Sequence, residues 1–179
     1  RHNSSANFIY SYGLGFQQTV LNNDQDFPYL SKSNNTFYAI VPKLFVRYKP
    51  SRFKKVFAFY RVRPNAPNVS QLQDVLNNSN PLSLSKGNPN LKQQNTHFLV
   101  SRYSNIKPFD GKSFFAFVLF QAANNYIGNS TTIAYEPTTI DGVSLSRGAQ
   151  FTVPTNLSGY LNSRINVSHG FTLNKIKSN

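Results

Sequence analysis

The chain has 179 residues and a formal charge of +13, from 19 Lys and Arg against 6 Asp and Glu. It contains no Cys, Met or Trp, and Phe and Tyr supply much of its 39% hydrophobic content. This composition excludes a disordered basic tail, disulfides, thiolate metal sites and Cys nucleophiles, and no apolar run approaches the roughly 18 residues of a membrane-spanning helix. The length predicts a single domain over residues 1–179.

Asn, Gln, Ser and Thr are abundant while Ala and Glu are scarce, so strong helix formers are few and aromatic and β-branched residues dominate the apolar set. The expected class is therefore all-β. In chain order, 7–21 reads as a first strand region and 22–35 as polar turn material. Residues 36–49 read as a long strand interrupted by Pro42, which points to an edge or a bulge. Residues 54–63 form the clearest strand, with aromatic residues at Phe57, Phe59 and Tyr60. Pro64 and Pro67 force a turn, and 70–77 reads as the one short helix, capped by Ser70 with Leu72, Val75 and Leu76 on its apolar face. A long polar loop over 81–96 leads to a strand at 97–103. The apolar run 113–122 suits a strand buried on both faces. Further strands are expected near 131–135, 150–153 and 159–173. About eight antiparallel strands with one short helix make a β-sandwich or jelly roll the economical architecture.

The strongest local signal is basic. Lys43, Arg47, Lys49, Arg52, Lys54, Lys55, Arg61 and Arg63 lie on two successive strands and their connection, with no carboxylate among them. Alternate residues of a strand share a face. Lys43, Arg47 and Lys49 share one parity with Phe45 between them, and Lys55, Arg61 and Arg63 share one with Phe57 and Phe59 between them. Two such ladders suit a polyanion, with charges on phosphates and rings on bases, so all eight are candidate nucleic-acid-binding residues.

Other constellations carry less. Gly111-Lys112-Ser113 lacks the Gly that a phosphate loop needs five residues earlier, where Ile106 stands, and reads as a turn. His97 and His169 have no nucleophile elbow to serve. Asp24 and Asp26 lack the Gly and terminal Glu of a calcium loop. Five Asp, one Glu and three His leave little for acid–base or metal chemistry, so no enzyme, metal or cofactor is expected.

From Lys43 to about Tyr103 one further pattern stands out. A basic strand carrying Lys43, Leu44, Val46 and Arg47 precedes an aromatic strand with Phe57, Phe59 and Arg61. Pro67, Val75, Leu76 and Asn77 follow, then Asn80 and Pro81, then Phe98 and Leu99. This order resembles the jelly-roll coat proteins of small satellite plant viruses and of circular single-stranded DNA viruses. The resemblance implies a capsid subunit: many copies of one jelly roll in an icosahedral shell, a genome held without sequence readout, a virion location, no membrane insertion, and a basic arm upstream of Arg1. The second expectation is a secreted or cell-surface adhesin or lectin-like sandwich with a basic patch for acidic glycans. A Ser or His hydrolase is the third and weakest reading.

Overall fold

A computed structural model describes residues 2–5, 7–25 and 31–172 of the protein. The strands are β1 (His2–Ser5), β2 (Phe8–Gln25), β3 (Ser31–Tyr48), β4 (Lys54–Asn65), β5 (Leu76–Asn77), β6 (Ser83–Lys86), β7 (Gln94–Lys107), β8 (Lys112–Asn124), β9 (Tyr126–Ile133), β10 (Thr138–Ile140), β11 (Val143–Leu145), β12 (Gln150–Leu157) and β13 (Tyr160–Phe171). The chain is all-β, as its composition demands. Seven strands form one antiparallel sheet in the order β1-β2-β3-β4-β7-β8-β13. Every neighbour in that sheet is also the next long strand along the chain, which is a meander and not the crossed connectivity expected of a jelly roll.

The two long connections of the meander fold together at one end of the sheet. Residues 66–93 and 125–159 supply a four-stranded sheet, β5-β6-β12-β9, and the hairpin β10-β11. Within it β6 and β12 run parallel and the other pairs antiparallel. Leu84, Ala134, Val143, Leu145, Ala149 and Phe151 form its core. This cap therefore holds the buried hydrophobic cluster, and the large sheet does not.

The expected helix shrinks to a single turn, α1 (Val69–Leu72). Its cap is Asn68 rather than Ser70. The Asn68 side chain accepts from the Gln71 backbone, and the Gln71 side chain accepts from the Asn68 backbone, completing a capping box. Gly87 lies so close to the Ser70 and Gln73 carbonyls that a Cβ would not fit. Gln73 is already extended, and Leu76 and Asn77 belong to β5.

Of three other local expectations, the Pro42 edge holds locally, the double burial of 113–122 fails and the turn at Gly111 is present. Pro42 sits inside β3, opposite Leu14, one residue beyond the last pair of the β3–β4 ladder at Lys43 and Arg61. Its missing N–H thus falls where β3 has only β2 as a neighbour, so the edge expectation holds locally although β3 is an inner strand. The run 113–122 does form β8, but it is not buried on both faces: Phe115 and Phe120, on opposite faces, are 40% and 38% exposed. The turn before it is a 3-10 turn, Pro108–Asp110, closed by Gly111 at φ 59, and its carbonyl accepts from Thr172.

Candidate functional site: the two faces of the long sheet

Register decides which residues share a face. On one face, Tyr10, Val46, Ala58, Ser101, Val118 and Ile165 lie in one cross-strand row, and Tyr12, Leu44, Tyr60, Leu99, Phe120 and Ser163 in the next. Nearly all the exposed large apolar side chains of the sheet lie on this face, including Leu14 at 77%, Phe16 at 70% and Ile165 at 69% exposed. Its charged residues stand only at strand ends, with Lys54, Lys107 and Lys112 together at the end opposite the cap.

Aromatic residues border this apolar face. Phe8 packs on Tyr10 and Tyr48 with centroids 5.6 and 5.9 Å apart, and Tyr103 packs on Phe114 at 5.9 Å. Nearer the cap end, Phe16 stacks on Tyr38 at 5.8 Å. Tyr38 and Tyr48 are ten residues apart on β3, about 33 Å along a strand. A strand tilted by about 45° turns that into a band of about 23 Å, close to the apolar height of a transmembrane barrel. A monomer in water rarely leaves a continuous apolar surface of this kind open.

The opposite face is cationic and aromatic. Its rows run Lys43, Arg61, Phe98, Gln121, Asn162; then Phe45, Phe59, Val100, Leu119, Arg164; then Arg47, Phe57, Arg102, Phe117, Asn166. Lys43 and Arg61 stand directly opposite each other, a like-charge pairing that costs stability unless an anion offsets it. The Arg61 guanidinium lies over both Phe59 and Phe98, each 5.7 Å away, and its Nε is buried without a hydrogen-bond partner. Among the described residues the ion pairs are Lys86–Asp74 in the cap and Lys107–Asp110 beside a turn, so no carboxylate pairs with any cation of this face.

Of the eight cations singled out from sequence, Lys43, Arg47, Lys55, Arg61 and Arg63 come together on this face. Lys49 and Arg52 belong to the β3–β4 connection, where Arg52 lies over Phe53 at 4.6 Å, and Lys54 starts β4 on the apolar face. Arg102 and Arg164 complete the basic surface and were not singled out, because each is the one cation its strand puts on this face and only pairing brings it beside the others. His97 lies on the apolar face, hydrogen-bonded to Tyr60 (2.8 Å) and to Asn124 (3.2 Å), with no acid or nucleophile beside it. No group of three or more His, Cys, Asp or Glu is placed to hold a metal ion among the described residues. Asp26 lies outside the described residues.

The model of the outer membrane protein beta-barrel family matches residues 2–179. A comparison with curated proteins finds no match. The family match overturns the capsid expectation and everything that hung on it: the icosahedral homo-oligomer, the packaged genome, the virion location and the absence of membrane insertion. It also displaces the secreted adhesin. The physical reason is on the apolar face, because a coat protein's sandwich would cover that face with a second sheet, and here the described residues supply none.

Proposed function

The chain belongs to the outer membrane protein beta-barrel family, and from that premise we propose that its seven-stranded sheet is a stretch of barrel wall with the apolar face on lipid and the cationic face on the lumen. The observation that carries this reading is the segregation itself: one face without a charge between its aromatic borders, the other with seven uncompensated cations. β2, β3, β4, β7, β8 and β13 have 12 to 18 residues, enough to cross a bilayer at barrel tilt. The connections 49–53 and 108–111 lie at the lysine-bearing end and the two long ones build the cap, the asymmetry of a barrel with short periplasmic turns and long external loops. In lipid no backbone edge stays open, so the β1 and β13 edges are paired there.

The lumenal surface draws anionic solutes. Its cations line a concavity walled by low-dielectric strands and lipid, which concentrates the positive field. The chemistry is attraction and passage or holding, with no catalytic step. The test is the binding of a trianionic dye to the protein in neutral detergent micelles. Tight binding that weakens steeply with salt is expected, and the double substitution Arg47→Glu, Arg102→Glu should lower affinity about tenfold. Equal affinity in the double variant, or a preference for a matched cationic dye, would overturn the proposal.

A further inference from the structure

At the cap end of the cationic face, the row Arg63, Thr96, Ala123, Tyr160 closes against the first residue of β9. Tyr126 stacks on Tyr160 there with centroids 4.4 Å apart and rings 5° from parallel. Arg63, Thr96, Gln121 and the tyrosine pair line a cavity of about 280 Å³. Its hydrogen-bonding inventory is lopsided. The Gln94 carbonyl accepts from the Ile127 backbone at 3.0 Å, and Thr96 Oγ1 accepts from Gln94 Nε2 at 3.0 Å. The Gln121 carbonyl accepts from Asn162 Nδ2 at 3.3 Å. The protein's own bonds therefore engage the Gln94, Thr96 and Gln121 acceptors, the Arg63 guanidinium, the Gln121 amide N–H groups and the Thr96 hydroxyl proton remain as donors, and Asn65 and the tyrosine hydroxyls can take either role.

A pocket with surplus donors and a fixed cation suits a ligand that only accepts. A neutral polyol leaves the guanidinium charge without a counterion. We propose that this cavity is a binding site for an organic oxyanion, a phosphate or carboxylate held by Arg63, Gln121 and Thr96, with a flat apolar body against the Tyr126–Tyr160 pair. The guanidinium fork matches either head group in a bidentate manner. The cavity is larger than inorganic phosphate needs, which is why the apolar body belongs to the ligand. The inference rests on the cationic face being open to solute, as proposed above, and extends it from general attraction to one site.

Calorimetric titration of the full chain in neutral detergent micelles tests it, with phenyl phosphate and benzoate as probes and inorganic phosphate and benzyl alcohol as comparators. Saturable binding of an aryl anion is expected, and the tighter of the two identifies the head group. Arg63→Gln should weaken it at least about tenfold, the loss expected of a charge-assisted bidentate contact. Tyr160→Leu should weaken the aryl anions and leave inorganic phosphate unchanged. Arg63 is exposed, so its replacement spares the fold, and an unchanged circular dichroism spectrum checks this. Benzyl alcohol binding as well as phenyl phosphate, or Arg63→Gln binding as well as the parent, overturns the site. If the trianionic dye binds and the aryl anions do not, the pocket fails and the cationic wall stands. If the dye fails as well, the wall reading fails with it.

Discussion

Replacing Leu44 with Arg is expected to destabilise the protein in a phospholipid bilayer by about 2–4 kcal/mol. Leu44 lies on the apolar face, in the row with Tyr12, Tyr60, Leu99 and Phe120, and is 43% exposed. Along β3 it sits between Tyr38 and Tyr48, near the middle of the aromatic-bordered band. An Arg there would hold its guanidinium at the depth where lipid is driest, with no acid between the aromatic borders to receive it. On a water-exposed strand of a soluble sandwich the same change would alter stability by at most about 0.5 kcal/mol. Denaturant titration of the protein folded into vesicles separates these outcomes. Lys54→Arg, at the charged border of the same face, should be nearly neutral in the same assay.

Phe151→Ala is expected to cost about 3–5 kcal/mol, the loss for a large aromatic truncated in a packed core. Phe151 is 2% exposed and sits on β12 within the cluster of Leu84, Val143 and Leu145. Because that cluster lies wholly in the cap, the damage should be local. Amide hydrogen exchange should accelerate in β6 and β12, while β3, β4, β7 and β8 retain their protection. Equal loss of protection in the long strands would mean that cap and wall unfold as one unit. The cap and wall are joined by specific contacts at their border. The Gln94 side-chain carbonyl on β7 accepts from the Ile127 backbone on β9 at 3.0 Å, and Tyr126 of β9 stacks on Tyr160 of β13.

Much of the secondary structure was legible because period-two alternation is local. The strands read at 36–49, 54–63, 97–103 and 113–122 all lie within observed strands or reach one residue beyond them. The parity argument for Lys43 and Arg47, and for Lys55, Arg61 and Arg63, also held, and pairing placed both ladders on one face. What alternation does not encode is the partner of the apolar face. A strand with Leu44, Val46 and Tyr48 on one side looks the same whether a second sheet or a lipid tail covers it. The search for an apolar run of about 18 residues sees helices alone, and a barrel strand hides half its residues from it. The basic surface differs from the sequence cluster for a related reason: Lys49 and Arg52 lie in the β3–β4 connection and Lys54 on the other face, while register adds Arg102 and Arg164.

The central claim is that the two faces of the sheet meet different media, lipid on one and water on the other. The chain has no Cys, so single Cys substitutions from Tyr38 to Tyr48 on β3 can each carry a fluorophore without background. With the protein in vesicles, labels at 40, 44 and 46 should be quenched by a lipid-borne quencher and spared by an aqueous one. Labels at 41, 43, 45 and 47 should show the reverse, giving a period of two along the strand. Quenching of both sets by the aqueous agent alone would contradict a lipid-facing wall.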